Sequence, residues 1–240
     1  MVIRKISVIL PAYNLGSVIQ ANISKVISYL NHLKLRYEVI VVDDCSMDDT
    51  YLKAKQLERV YGDRLKVIRN SVNIGKGYSM YVGFNHCSGD VVILLDADLD
   101  IPPQQIGYML RFIDRADIVI TDKWHKKSRV DARLIRRILS RIFNLCVKLF
   151  TGLNLSDTQT GAKIFKREVL DNIVPYLVVK RYAFDTELLT AIFARKYKVV
   201  EVPSLWSIRL TARFRLREVL KMLLDLLGIT YRHRIKRQYG

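Results

Sequence analysis

The sequence has few of the residues that would mark several common protein classes. Three cysteines occur, Cys45, Cys87 and Cys146, an odd number without the spacing of a metal site. With no secretion signal at the start, this favours reduced thiols and a cytoplasmic setting. The four histidines form no H-E-x-x-H pair, which leaves a zinc site without support. No G-x-S-x-G occurs, so a serine hydrolase lacks its nucleophile turn. No apolar run approaches the roughly 18 to 20 residues of a spanning helix, so membrane contact is expected to be peripheral. Repeats, low-complexity tracts and flexible linkers are absent too. The chain of 240 residues, half of them hydrophobic, is long enough for one large domain.

Acidic residues are also scarce. Asp and Glu number 23 against 40 Lys and Arg, a formal charge of +17. Such a surplus points to a polyanionic partner: nucleic acid, an anionic membrane or phosphorylated substrates. It is concentrated in two segments, 121–150 and 209–240, each with nine basic residues against two acids. Residues 133–150 read "RLIRRILSRIFNLCVKLF", a wide apolar helical stripe with Arg on the other face. Residues 214–227 repeat that character and run into a basic tail. Both segments are rich in Leu and Ile, whereas single-stranded nucleic acid is held by aromatics among the basic residues, so a nucleic-acid partner is not expected. An amphipathic helix of this kind either lies in a membrane interface, the reading favoured for both segments, or packs on the sheet and shows its Arg residues to solvent. The simplest division is one domain over 1–210 and a C-terminal basic amphipathic helix and tail over 211–240.

What the sequence does contain is a rhythm of buried strands and helices. Apolar strands are expected at 6–10, in "YEVIVVDD", in "LKVIRN", in "DVVILLDAD" and in "ADIVIT", with helices between them. A later helix and strand follow in "YAFDTELLTAIFARKYKVVEVP". Strands apolar throughout, alternating with helices, imply an α/β fold: a mostly parallel, Rossmann-like sheet with helices on both faces. Ligands bind such sheets beyond the carboxyl ends of the strands. The polar punctuation falls there: Tyr13-Asn14, Asp43-Asp44 and Asp96-Ala97-Asp98.

Asp96, Asp98 and Asp100 stand two apart in "LLDADLD". Close carboxylates repel unless a cation neutralises them, and Mg²⁺ or Mn²⁺ commonly bridges a few carboxylates to substrate phosphates. A short D-x-D alone is more often a wet strand end; the other polar strand ends favour a site. Asp43 is the candidate nucleoside acceptor, with Asp44 open between ligand contact and turn formation. "NIGKGYS" offers Lys76 as a point charge beside a phosphate, with a helix-opening turn as the equal alternative. It lacks the Walker spacing of a P-loop ATPase. "DTQTG" and "FDTELL" are polar insertions between apolar elements, and their ordinary role is capping.

In order along the chain, "VILPAYN", "YEVIVVDDCSMDDT", "NIGKG", "LLDADLD", "DTQTGAKIFKREVL" and "RYAFDTELL" resemble the family 2 glycosyltransferases with the GT-A nucleotide-diphospho-sugar transferase fold. The resemblance spans about residues 4–210. It is closer to the dolichyl-phosphate and polyprenyl-phosphate hexose synthases, and leans to the glucosyl branch. It implies inverting, metal-dependent transfer of glucose or mannose from UDP-glucose or GDP-mannose to dolichyl or polyprenyl phosphate, on the cytoplasmic face of a membrane. It further implies nucleotide-sugar contacts from Pro11, Tyr13, Asn14, Asp43, Lys76, Asp96 and Ala97. Mg²⁺ or Mn²⁺ would be held by Asp96 and Asp98, and Asp98 would act in catalysis. Three positions depart from the pattern: Leu15 stands where many relatives have Glu, Cys45 where Gly is usual, and Asp100 where Gln is frequent. Asp100 is either a third ligand or a residue facing water.

A lipid phosphate acceptor needs no general base, because its second pKa lies near ~6 and it is largely dianionic at neutral pH. It needs cations, and Arg binds phosphate bidentately. Lys123, Arg129, Arg133, Arg209 and Arg213 are the candidates from the basic segments. If the acceptor were a sugar hydroxyl instead, a base would be required, and Asp185 is the candidate.

Overall fold

The computed structural model describes residues 2–131, 134–181, 183–206, 208, 209 and 216–240, with the backbone alone at 131, 134–136, 208, 209 and 216–220. The first half of the chain alternates strand and helix as the apolar runs dictate. Strand β1 spans Lys5–Ala12, α1 Ile19–His32, β2 Arg36–Asp43, α2 Thr50–Tyr61 and β3 Leu65–Arg69. Helix α3 spans Lys76–His86, β4 Val91–Leu95, α4 Gln104–Leu110 and β5 Ile118–Asp122. Then come β6 (Val130–Asp131), α5 (Leu134–Thr151), β7 (Ala162–Lys166), α6 (Arg167–Ile173) and α7 (Phe184–Ala194). The chain closes with β8 (Val199–Pro203), β9 (Ile208–Arg209), α8 (Leu216–Thr230) and a π-helical turn at Tyr231–Ile235.

Seven strands form one sheet in the order β3-β2-β1-β4-β7-β5-β8. All neighbours are parallel except β7, which runs antiparallel between β4 and β5. This strand was not foreseen: "AKIFK" is five residues long and directly follows the polar "DTQTG", so it carries little apolar signal of its own. Its place matters, because it carries the chain of "DTQTG" to the tip of β4.

Alternate residues of each strand face opposite sides, and each side has its own core. Val8, Leu10, Val41, Ile93 and Ile164 pack with α1, α2 and α4. Ile9, Ile40, Val42, Leu94 and Phe165 pack with α3, α5, α6, α7 and α8. Helix α1 buries Ile19, Ile23, Val26, Ile27 and Leu30, one stripe at helical spacing. Ile93 is fully buried at the sheet centre, and Ile93→Ala there costs about 2–5 kcal/mol. Met222, Leu226, Ile229 and Tyr239 belong to the second core, so the C-terminal stretch shares the packing of the sheet.

That docking is fixed by Glu187, a fully buried acid two residues after Asp185 on α7. Its Oε1 accepts from Arg232 Nη2 at 2.8 Å and from the Tyr239 hydroxyl. Its Oε2 accepts from the backbone N–H groups of Val178 and Val179 at 2.8 and 2.7 Å. The second carboxylate of "FDTEL" therefore ties the tail and the 177–181 segment to the sheet.

Candidate active site

The carboxyl ends of β1 and β4, the turn before α3 and the segment before α7 enclose a cleft of about 370 Å³. Pro11, Ala12, Tyr13, Asp44, Lys76, Asp96, Ala97, Asp98 and Arg181 are among its walls. Pro11, Tyr13, Lys76, Asp96, Ala97 and Asp98 thus stand together as the sequence suggested. Arg181 was quoted in "RYAFDTELL" without a role; an isolated Arg before a helix carries no signal until the fold brings it round.

Asp43 and Asp44 stand differently toward the cleft. Asp44 lines the cleft and organises its floor: Oδ1 accepts from Asn70 Nδ2 at 2.8 Å and from the Ile74 N–H at 3.1 Å, and Oδ2 from the Gly75 N–H at 2.8 Å. Asp43 lies beneath, fully buried, with Oδ2 accepting from the Ser46 N–H at 3.1 Å and paired with Arg69 at 3.3 Å. Its Oδ1 is buried without a hydrogen-bond partner. Asn14 is held in loop bracing: its Oδ1 accepts from the Met47 N–H at 2.9 Å, and its own N–H donates to Ser46 Oγ at 2.9 Å. Cys45 keeps the left-handed backbone that Gly would supply, at φ 58°, so the turn is retained with local strain.

The two glycines of "GKG" have packing reasons. Gly75 has φ 129°, and a Cβ there would meet the Lys180 carbonyl oxygen at 2.7 Å. A Cβ on Gly77 would strike the Phe184 side chain at 2.5 Å. Both clear space for the segment that leads into α7, and this close approach sets Lys76 against the acids.

Lys76 Nζ lies 2.6 Å from Asp96 Oδ1 and 3.7 Å from Asp185 Oδ2. Asp185 Oδ1 accepts from Lys163 Nζ at 2.8 Å, and that ammonium also donates to the Thr160 carbonyl at 2.6 Å. Lys163 is 1% exposed. The result is an alternating row, Lys163, Asp185, Lys76, Asp96, running from the sheet interior to the cleft. Burial acts to lower the Lys76 pKa, but Asp96, Asp185 and Asp98 outweigh it and hold the ammonium above its usual range. Burial acts to raise that of Asp185, but Lys163 and Lys76 outweigh it and keep the carboxyl below the usual range. For Lys163 burial wins, helped by repulsion from Lys76, and its pKa falls despite Asp185.

At the tip of β4, the Asp100 N–H donates to Asp98 Oδ1 at 3.1 Å, and Leu99 takes φ 55°. Asp96 Oδ1 is buried and receives no well-directed hydrogen bond. Gly161 abuts Asp96; a Cβ there would lie 2.9 Å from Oδ2. Among the described residues no three His, Cys, Asp or Glu side chains gather at one point, so Asp96, Asp98 and Asp100 do not form a closed cage.

The expected acceptor cations are more scattered. Lys123 is turned inward, 3.4 Å from Asp157 Oδ2 and donating to the Gln159 carbonyl at 3.0 Å. Arg129 is exposed and is not a wall of the cleft. Arg209 is described by its backbone alone, in β9. Arg133 and Arg213 lie outside the described residues. A second cavity of about 530 Å³ adjoins the first, sharing Asn73 and Arg181 with it. Lys180, Leu224, Asp225 and Arg232 line its far side, toward α8.

A parallel sheet tipped with acids, an antiparallel strand inserted beside them and a cleft at that edge describe a GT-A glycosyltransferase. Residues 7–174 match the model of glycosyl transferase family 2, and the chain belongs to that family. Among its relatives is a dolichyl-phosphate beta-glucosyltransferase of Trichomonas vaginalis, 27% identical over 96% of this chain and 74% of the relative. An undecaprenyl-phosphate 4-deoxy-4-formamido-L-arabinose transferase of Aeromonas hydrophila is 28% identical over 93% of this chain and 67% of the relative. The fold is matched by glucosyl-3-phosphoglycerate synthase from Mycobacterium tuberculosis, crystallised with Mn²⁺, UDP and phosphoglyceric acid. Its TM-score is 0.73 at 20% identity, over 99% of this chain and 79% of that one.

Proposed function

We propose that this glycosyltransferase moves a hexose, glucose or mannose, from UDP-glucose or GDP-mannose to a dolichyl or polyprenyl phosphate at a membrane surface. The observation that carries the acceptor class is the state of Asp185. A hydroxyl acceptor needs a base to take its proton. Asp185 is buried, ionised and paired through both oxygens with ammonium groups, which leaves it a poor proton acceptor. An acceptor that arrives as an ionised phosphate needs no such group, and the two relatives named above are polyprenyl-type phosphate transferases.

On this reading Tyr13 and Pro11 flank the nucleoside, and the unpartnered Asp43 Oδ1 is a free acceptor beneath it. The donor set at the tip of β4 fits a hard divalent ion: it is made of carboxylate oxygens, one of them, Asp96 Oδ1, buried against the Lys76 ammonium at 2.6 Å. Asp96 and Asp98 would hold Mg²⁺ or Mn²⁺; an ion of this type is bound through one or two carboxylates plus substrate phosphates, without a protein cage. Bound there, it supplies Lewis-acid stabilisation of the departing diphosphate. Arg181, at the junction of the two cavities, is the cation best situated for the acceptor phosphate. The second cavity is the approach from α8.

The membrane reading rests on an outward stripe. Ile138, Ile142, Leu145 and Leu149 are 49–67% exposed at helical spacing on α5, and exposed Arg137, Arg141 and Lys148 flank them. Leu224, Leu227, Tyr231 and Ile235 continue exposed apolar surface on α8 and the π-helical turn. No helix among the described residues is long and apolar enough to cross a membrane. Each basic residue near an anionic leaflet adds about 1 kcal/mol of attraction. The experiment is transfer of labelled sugar from each donor, with Mn²⁺ or Mg²⁺, to a polyprenyl phosphate. Organic-extractable label from one donor is expected; no transfer from any nucleotide sugar by folded protein sinks the proposal.

A further inference from the structure

The row Lys163, Asp185, Lys76, Asp96 does more than hold charge balance. Lys76 stands between two carboxylates, 2.6 Å from Asp96 and 3.7 Å from Asp185. The first is the residue read above as a metal ligand. A divalent ion and an ammonium cannot both sit against one carboxylate oxygen, so the ion has a resident competitor. The other carboxylate is the place to which that competitor can retreat. Its pull on Lys76 is set by how far Lys163 already neutralises it. Lys163 stands on β7 opposite Leu94 and Ile120 in the middle of the sheet. A lysine there is costly to bury unless its charge is paired, and its pairing is wholly with Asp185 and the Thr160 carbonyl among the described residues.

We propose that Lys76 is a resident counter-cation of Asp96 that a divalent ion displaces, and that the buried Asp185–Lys163 pair receives it. Lys163 is then a positioning residue: it touches no ligand and acts on the metal site through Asp185 and Lys76. The displaced ammonium stays at the cleft wall, beside the diphosphate of the donor, so ion and nucleotide favour each other's binding. The proposal rests on the reading of Asp96 as a metal ligand.

The test is Mn²⁺ affinity without sugar donor or acceptor, followed by the electron paramagnetic resonance of free Mn²⁺, in the presence and absence of UDP. Lys76→Met removes the competitor and is expected to tighten Mn²⁺ binding in the absence of UDP roughly fivefold, the scale of a partly screened ion pair. Lys163→Met leaves Asp185 with one partner, draws Lys76 off Asp96 and tightens binding as well. Asp185→Asn removes the receiver and weakens it. In the Lys76→Met background the effect of Lys163→Met should vanish, because a double-mutant cycle isolates the coupling between the two lysines. If Lys163→Met does not fold, Lys163→Met with Asp185→Leu removes the pair as a neutral unit, and Mn²⁺ affinity should drop below that of the native protein. Unchanged or weaker binding in Lys76→Met overturns the proposal. So does a Lys163→Met effect that persists at full size without Lys76, which would be plain charge repulsion. A native protein that binds no Mn²⁺ even with UDP sinks the metal reading itself; a native protein that binds it, with variants that do not differ, sinks this proposal alone.

Discussion

Two regions of the molecule handle charge in opposite ways. At the cleft, each lysine and acid of the row from Lys163 to Asp96 meets an opposite charge. On α5, Arg137, Arg141 and Lys148 stand exposed beside exposed Ile and Leu. The first region is a closed electrostatic arrangement that a small ligand must rearrange. The second is an open one, suited to a large anionic surface. A net charge of +17 therefore says little about the chemistry of the cleft.

The difference can be broken from either side. The largest expected effect is at the cleft: Asp98→Ala should lower kcat by about a thousandfold or more, the loss of several kcal/mol of charge stabilisation in the transition state. Its melting temperature should stay near that of the native protein, and a steep loss of stability would make Asp98 structural.

Next is Glu187, the other acid of "FDTEL". Glu187→Leu strands Arg232, Tyr239 and two backbone N–H groups. Breaking a buried pair in this way costs about 3 kcal/mol or more, which lowers the melting temperature by roughly 10 °C in a chain of this size. Calorimetry checks it. Two carboxylates two residues apart would then separate cleanly, Asp185 serving the cleft and Glu187 the fold.

On the basic face, Leu145→Glu with Leu149→Glu should reduce flotation with anionic vesicles roughly tenfold while UDP affinity holds, since about 1.4 kcal/mol is a factor of ten. Equal loss of both would mean the helix supports the cleft and not a membrane.

The smallest effect concerns pH. Glu201 is pushed above its usual range by burial and by nearby Asp122 and Asp157, although the backbone N–H groups of Ser156 and Asp157 bond to it. A carboxyl raised in the folded state favours folding when protonated, so its ionisation costs stability as pH rises from the unfolded value through the folded one. Glu201→Gln should raise the melting temperature by roughly 2 °C at neutral pH, a gain that shrinks as pH falls through the raised folded-state value and is gone below the ordinary glutamate range. Asp185 behaves with opposite sign. Its carboxyl is lowered, so its contribution is complete above the ordinary aspartate value and is lost only as pH falls through the folded one.

Much of the cleft was legible in the chain because its signals are local. Apolar runs that stop at acids gave β1, β2 and β4 and their polar tips, and the cleft brings Pro11, Tyr13, Lys76, Asp96, Ala97 and Asp98 together there. The row behind them was not legible. Lys163 lies on a five-residue strand inserted antiparallel between β4 and β5, and its partner Asp185 is 22 residues away on another element. No periodicity links those two residues; the sheet order does. Arg181 was hidden for the same reason. The placing of Asp44 in the cleft wall and Asp43 beneath it was hidden more simply, because the sequence does not say which way the turn carries adjacent strand-end residues.

Among the described residues the candidate base, Asp185, is held between two ammonium groups, and on that ground the acceptor is proposed to arrive already ionised. The direct measurement compares one polyprenyl chain in two forms, the phosphate and the free alcohol, with the same labelled nucleotide sugar and Mn²⁺. Label is expected on the phosphate and none on the alcohol, with Asp185→Asn leaving the phosphate preference intact. Transfer to the alcohol at a comparable rate, abolished by Asp185→Asn, would contradict it and make Asp185 the base.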